Sequence, residues 1–584
     1  MTRTALAALA LSGLAACSDE PAGGSEPAPP EDAHALFTDV TARSGLDLVL
    51  TAGGAEPTEI VEVKGGGIGL VDVDGDGDLD VFAPNGSTVA DAAAGRPGAG
   101  ARLFANDGDL RFHDATAEAA LDWRGWGMGV AAGDVDGDGW TDLFVSAFGA
   151  DALFANEAGK LVERAAERGL GDDGWGTGCA LADLDADGDL DLYLVRYLSF
   201  DAAHPPAPTR FLGVEVFDGP AGLPPLADRA YENDGDGAFR DATAAWGFDA
   251  AKPSYGLGCV ALDLDDDGRQ DVYVGNDSMP NFLWRGRDAE PRFVDAALEA
   301  GVAVNADGEA QATMGLAFGD VNGDGRADLF STNFMTDTNT LFESTPTGAF
   351  FADRTQRRGL AMVSRPFLGW AAWFGDLDLD GDEDLVSFNG HVYPTAAVRA
   401  LGTEARQEPL CFLREDERFR RLLPDEGGAW LAAKHADRSA AFADLDGDGD
   451  LDAVVAERAG PVRVLRGEAA GRDGARAGFT VRLRDAREGS KNPRGIGAKV
   501  TLLAEGARAD SSDGADTPGE PVATRWIVAG GSYLAACPPE VHLSATEARA
   551  MTLEVRWPDG FVQRVPLDPV GFEGDDHTLS VVRR

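Results

Sequence analysis

Asp72, Asp74, Asp76 and Asp80 stand at positions 1, 3, 5 and 9 of one short segment, with Gly77 at position 6. Carboxylates at alternate positions of a tight turn converge on a common point, and the glycine permits the sharp bend that brings them there. The backbone carbonyl of Asp78 completes a ring of oxygens of the kind a hard dication takes at about 2.3–2.6 Å. The phrase D-x-[DN]-x-D-G-x-x-D occurs seven times, at intervals of 49 to 80 residues. The other six copies place Asp134, Asp136, Asp138 and Asp142; Asp183, Asp185, Asp187 and Asp191; Asp263, Asp265, Asp267 and Asp271; Asp320, Asn322, Asp324 and Asp328; Asp376, Asp378, Asp380 and Asp384; and Asp444, Asp446, Asp448 and Asp452. Carboxylates held this close repel one another without a cation, and calcium suits flexible, oxygen-rich cages. An EF-hand needs flanking helices and a glutamate at position 12. Position 12 here is Ala83, Val145, Leu194, Val274, Ser331, Ser387 or Val455, so that reading is excluded. The expectation is up to seven structural Ca2+ ions, which would reduce the formal charge from −50 to −36. The alternative is a set of acidic turns without metal. A closed cage leaves little open coordination, which argues against catalysis at these loops.

The elements that must position the loops are short strands. A Gly-rich stretch such as Gly125-Trp126-Gly127-Met128-Gly129 precedes each loop, and glycine stands five residues before the first Asp in five copies. An apolar alternation such as Asp142-Leu143-Phe144-Val145 follows, with the period of a strand. A third strand, Leu103-Phe104-Ala105-Asn106 in the first copy, leads to a fourth of the form F-x-D-x-T, as at Phe112 to Thr116. Four short strands per unit make a propeller blade. The fourth-strand phrase also occurs seven times, but offset: Phe37-Thr38-Asp39-Val40-Thr41 precedes the first loop, and none follows the seventh. A ring explains the offset, because the N-terminal strand then completes the last blade and no sheet edge stays open. An insertion from Arg196 to about Arg229 breaks the spacing. Expected segments are a signal peptide at 1–17, a tether at 18–33, a seven-bladed all-β propeller at 34–470 and a smaller β domain at 475–584.

With 100 acidic against 50 basic residues, the chain lacks the basic surface that nucleic acid requires. The start, with one basic residue, a short apolar run from Ala5 to Leu14 and small residues before Cys17, reads as an export signal. Leu14-Ala15-Ala16-Cys17 resembles the lipobox of bacterial lipoproteins, which implies lipidation at Cys17 and attachment to the membrane through that anchor only. Ser18 after the cysteine favours the outer membrane. The Pro-, Gly- and Ser-rich residues that follow cannot bury enough surface to fold. Cys179, Cys259, Cys411 and Cys537 fit no zinc spacing; they read as buried thiols, with a disulfide between some pair as the alternative.

The loops and their Gly-rich strands resemble the FG-GAP, or VCBS, repeats of the integrin α propeller. The chain is more closely similar to the cartilage acidic protein family, which joins such a propeller to an ASPIC/UnbV domain. The matching residues are Gly65-Gly66-Gly67, Asn389-Gly390-His391-Val392-Tyr393-Pro394, Arg494-Gly495-Ile496-Gly497-Ala498, Gly530-Gly531-Ser532-Tyr533-Leu534 and Trp557-Pro558-Asp559-Gly560. The resemblance implies calcium in the loops and an extracellular interaction role. Where relatives tend to have Cys-Gly-Pro, this chain has Asp218-Gly219-Pro220, which removes any disulfide there.

No HExxH, P-loop or GxSxG is present, so the reading is a binding or adhesion scaffold for protein or carbohydrate at the cell surface, not an enzyme. The alternative is an envelope enzyme acting on polysaccharide through the propeller channel. Trp126, Trp175 and Tyr255 each stand eight residues before the first Asp of their loops. They read either as wedges between blades or as an aromatic platform at the channel mouth. Gly495, Gly497, Gly530 and Gly531 read as tight turns, or as a contact site for a partner.

Overall fold

Each acidic loop is the turn of a hairpin whose two strands the flanking sequence supplies. In the second repeat Trp126–Gly133 enters the loop and Asp142–Phe148 leaves it, paired from Gly133↔Asp142 to Trp126↔Phe148. Ala152–Asn156 and Leu161–Glu163 continue the sheet outward, all antiparallel. The inner hairpin is buried along almost its whole length, because neighbouring sheets cover both of its faces. The computed structural model describes residues 35–584 except 172, 471, 473, 505–518, 546–549 and 568–576. The expected signal peptide, Cys17 and the tether lie outside the described residues.

Seven such sheets follow one another, with inner strands Ile68–Val71, Trp126–Gly133, Gly176–Ala182, Gly256–Leu262, Leu316–Gly319, Gly369–Gly375 and Asp437–Ala443. These strands touch in sequence order, and the last also touches the first, so the contacts run in a cycle. The seventh sheet takes its outer strand from the start of the repeat region: Phe37–Asp39 pairs with Val462–Gly467. The glycines that stand five residues before the first Asp in five of the repeats are explained by blade-to-blade approach. A Cβ on Gly129 would lie 2.4 Å from the Thr177 carbonyl oxygen of the next blade, and one on Gly315 would lie 1.9 Å from that of Trp370. The architecture is an all-β propeller followed by a smaller β region.

That C-terminal region has two sheets. Glu540–Ala545, Ala477–Asp485 and Thr578–Arg583 form one; Glu520–Trp526, Lys499–Ala504, Met551–Arg556 and Val562–Leu567 form the other. Its core does not close on itself. Phe479, Val500 and Trp557 share one apolar cluster with Ala131, Leu181 and Leu190 of the blades, and residues 34–584 form one compact unit. The insertion after Arg196 carries a small hairpin, Thr209–Phe211 with Val214–Val216. Phe211 packs edge-on against Phe334 at 5.8 Å, and Phe217 against Tyr393 at 5.3 Å. These contacts lie beyond the hairpin ends opposite the acidic loops. Cys179, Cys259, Cys411 and Cys537 are buried free thiols. No described helix is long and apolar enough to cross a membrane.

Candidate metal centres

The seven loops repeat one hydrogen-bond scheme. The carboxylate at position 9 accepts two backbone N–H groups, one from position 2 of its own loop and one from the third strand. Asp142 accepts from Val135 at 2.9 Å and from Asn156 at 2.8 Å, and Asp80, Asp191, Asp271, Asp328, Asp384 and Asp452 do the same. Position 9 therefore braces the loop to its sheet as well as facing the cage. The position-1 carboxylates accept from loop amides, as Asp134 does from Gly137 at 2.8 Å and Gly139 at 2.9 Å.

Oxygens of Asp72, Asp74 and Asp76 lie within 4.8 Å of one another, as do those of Asp134, Asp136 and Asp142, of Asp183, Asp185 and Asp191, and of Asp263, Asp265 and Asp267. Burial pushes several of the loop acids up, and neighbouring carboxylates add to the effect: Asp80 to about 7, Asp142 to about 8, Asp191 to about 9 and Asp444 to about 7. Removing a carboxylate from water disfavours its charge, and an adjacent cation restores it. Buried oxygens of Asp136, Asp376 and Asp446 have no hydrogen-bond partner. Clustered hard oxygens, some of them unsatisfied, fit a calcium ion, which would supply the missing positive charge. Loop five has Asn322 at position 3, a neutral oxygen in place of a charged one.

The fourth loop departs from the expected equivalence. Arg285 on the third strand, 9% exposed, places Nη1 2.6 Å from Asp271 Oδ2 and 3.0 Å from Asp265 Oδ2. A guanidinium there already neutralises two of the four carboxylates, so this cage is not interchangeable with the others. The four-aspartate spacing alone did not reveal it, since Arg285 lies 14 residues beyond Asp271.

The C-terminal region docks on the loop face. Lys499 Nζ lies 2.6 Å from Asp266, Arg482 donates to the Gly77 carbonyl at 2.9 Å, and His542 Nε2 lies 3.1 Å from that of Gly449. The Ser544 hydroxyl donates to Asp376 Oδ2, at position 1 of the sixth loop. One segment of this region also enters the ring. Leu181 N–H donates to the Ala529 carbonyl, Ala372 N–H donates to Ser532 Oγ at 3.0 Å, and Ala535–Ala536 pairs in parallel with Ile68 and Gly69 as a fifth strand of the first sheet. Tyr533, fully buried, packs edge-on to Trp370 at 4.9 Å. Gly530 and Gly531 have φ of 126° and 151°, and a Cβ on Gly530 would lie 2.9 Å from the Cys179 carbonyl; both are turn residues, and Gly530 is also a point of close approach to the blades. Further along the axis Lys64 of the first repeat reaches Asp277 of the fourth at 3.4 Å, beneath the Tyr197 ring.

Trp126, Trp175 and Tyr255 are 3%, 1% and 9% exposed. They belong to an edge-on chain in which Trp126 meets Phe148 at 5.6 Å, Phe148 meets Trp175 at 5.5 Å, Trp175 meets Tyr197 at 5.0 Å and Tyr197 meets Tyr255 at 6.0 Å. Each ring face is taken by another side chain, so an open stacking platform does not describe them. The clefts of some size lie at the seam between loops and C-terminal region. One of about 280 Å3 is lined by Asp185, Arg269, Arg292 and Pro558.

The FG-GAP-like repeat family matches residues 72–145, 134–194, 263–331 and 320–387, and the family described as ASPIC and UnbV matches 488–572. The chain therefore carries FG-GAP-like repeats followed by an ASPIC/UnbV domain, and it is homologous at low identity to cartilage acidic protein 1. Human cartilage acidic protein 1 is 26% identical over 328 residues, 55% of this FG-GAP and ASPIC/UnbV chain and 43% of its own length. The Xenopus tropicalis protein of that name is 25% identical over 517 residues, 85% of this chain and 70% of its own. The chain thus spans less than half the length of the human relative. Among solved structures, an Agrocybe aegerita lectin that recognises non-reducing terminal N-acetylglucosamine is 15% identical, covers 72% of this chain and 93% of its own, and has a TM-score of 0.36. So loose a likeness carries no functional argument.

Proposed function

We propose that this FG-GAP and ASPIC/UnbV protein is a calcium-stabilised binding scaffold, exported and anchored through a lipid on Cys17 to the cell envelope, at the outer membrane. The observation that carries the reading is the gathering of seven acidic loops on one face, where the C-terminal region is docked by Lys499, Arg482, His542 and Ser544. Calcium there would stabilise the blades whose cages are open, and the seam with them. The partner is a protein or carbohydrate at the cell surface; the homology to cartilage acidic protein 1 supports an extracellular role. The axis is occupied by the segment around Tyr533 and by Lys64 and Asp277, which weighs against catalysis through a channel. The test is calcium binding followed by calorimetry, together with limited proteolysis between residues 467 and 477. Calcium must raise the melting temperature and protect that stretch. Unchanged melting and cleavage after verified metal removal would refute the proposal.

A further inference from the structure

A different cluster of metal-ligating side chains lies at the other end of the seventh blade. Asp437 opens the inner strand and Glu457 closes the second, directly opposite one another across the hairpin. His435, two residues earlier, is held by reciprocal backbone bonds with Gln407 of the sixth blade, at 2.7 and 2.8 Å. One ring nitrogen of His435 and one oxygen each of Asp437 and Glu457 lie within 4.8 Å of one another. All three residues are buried, at 5%, 0% and 1% exposure.

Two of the three donor residues are unsatisfied, while Glu457 is paired with Arg406 and Arg463. Neither oxygen of Asp437 accepts a hydrogen bond, and neither does Nδ1 of His435. His435 Nε2 faces the Trp430 carbonyl at 3.2 Å, which with Nε2 protonated fixes the tautomer that leaves a lone pair on Nδ1. A ring N–H given to a backbone carbonyl is the usual support of a metal-ligating histidine. Leaving a fully buried carboxylate without a donor is costly, and the repeat shows it is not a requirement of the fold. Seven residues before the first Asp of the loop, the other blades have Gly65, Gly127, Gly176, Gly256 and Gly369, with Thr313 in the fifth. Thirteen residues after that Asp, none of the other six copies has an acid.

We infer that His435 Nδ1, Asp437 and Glu457 bind a first-row transition-metal dication such as zinc. One imidazole and two carboxylates suit zinc or manganese better than calcium, which favours oxygen alone. An ion about 2.0–2.2 Å from each donor requires only that the three side chains close inward. The charges permit it. Arg463 lies 2.8 Å from Glu457, 3.9 Å from Asp437 and 3.7 Å from Asp39, while Arg406 lies 2.5 Å from Glu457 with its side chain 54% exposed. Three acids thus face two arginines, a balance of −1 that a dication takes to +1, with Arg406 in contact with solvent. The rival arrangement is a proton shared between Asp437 and His435.

The test uses whole protein held in saturating calcium so that the seven loops do not compete, with zinc, manganese or cobalt(II) as probe. After desalting, elemental analysis should find about one equivalent of zinc or manganese in the parent and in Asp446→Asn, whose change lies in the acidic loop of the same blade. His435→Gln and Asp437→Asn should retain none. Folded parent protein that retains neither metal, or His435→Gln retaining as much as the parent, overturns the site. Because Asp437→Asn also alters a buried charge, the parent decides independently: cobalt(II) must show the visible absorption of a low-coordinate nitrogen- and oxygen-ligated ion, and its absence overturns the inference.

Discussion

The fourth and seventh loops carry four aspartates at the same positions, and on the third strand the residue before the brace contact is an arginine in both. In the fourth, Arg285 turns into the cage and pairs with Asp271 and Asp265. In the seventh, Arg466 donates instead to Glu468, from Nε at 3.0 Å and Nη2 at 2.6 Å. Glu468, just past the strand end, thus holds Arg466 away from the cage, whereas the fourth blade has Arg287 there, a like charge with no hold on Arg285. In both loops a buried oxygen of the position-3 acid, Asp265 or Asp446, has no hydrogen-bond partner, so the difference between them lies in where the guanidinium goes. A single residue beyond the repeat phrase thus separates a cage filled by the chain's own cation from one open to an ion from solvent.

Stripping calcium from the whole protein has the largest expected effect. An ion bound only by the folded state contributes about 2.7 kcal/mol at a free concentration one hundred times its Kd, and the seventh loop should share in that loss while the fourth does not. Calorimetry in calcium and in chelator should show a clear fall in Tm. An unchanged Tm would break the comparison at its root. Next in size, Asp446→Asn should lower the calcium stoichiometry by one and bring down the melting temperature in calcium, and Asp265→Asn should leave the stoichiometry as it was. Equal losses from both would mean that Arg285 does not exclude the ion.

Acidity should separate metal-free from loaded protein. In the seventh loop burial, then neighbouring carboxylates, push Asp444 to about 7 and Asp446 to about 6. Folded values above the ordinary carboxylate range mean that the native state binds more protons than the unfolded one between about pH 4 and 7, so metal-free stability falls as pH rises through that window. In chelator the protein should melt higher near about pH 5 than near about pH 7.5. Calcium, which competes with those protons, should reverse the trend or flatten it. A metal-free Tm that rises with pH over this range would contradict the assignment of these acids as the strained group.

The loops were legible in the sequence because every aspartate of the repeat phrase sits within nine residues, where spacing alone fixes geometry. The repeat offset likewise placed Phe37–Asp39 beside Val462–Gly467, since both phrases could be counted. What escaped was set by contacts that no local period encodes. Ala535–Ala536 meets Ile68–Gly69 across most of the chain, and nothing in Gly530-Gly531-Ser532-Tyr533 distinguishes a surface turn from a segment inside a ring. Trp126 and Trp175 were placed at equivalent positions by spacing, but only Phe148 and Tyr197, from other strands, decide that they are wedges. His435, Asp437 and Glu457 were within reach, since aligning the seven copies position by position exposes an acid where the others have glycine or threonine. The direction of Arg285 was not, because Arg466 has the same type at the same position.

The smallest effect is the most discriminating. Arg285→Met keeps the length of the side chain and its apolar stem while deleting the guanidinium, which also donates to the Gly348 carbonyl at 3.1 Å. Without calcium the variant should be less stable than the parent, because Asp265 and Asp271 lose the cation that faces them, and a buried charge left unpaired is costly. With saturating calcium the difference should nearly vanish, as an ion enters the vacated position and satisfies both carboxylates. Calorimetric titration should then find one more calcium per chain than in the parent. The converse change, Glu468→Gln, should free Arg466 to swing toward Asp446 and weaken calcium at the seventh loop without abolishing it. If Arg285→Met gains no ion while Glu468→Gln loses none, the arginines are bystanders and the two cages differ for some other reason. A gain in the first with a loss in the second, in proteins of otherwise equal fold, would show that occupancy around the ring is written in the third strand and not in the aspartates.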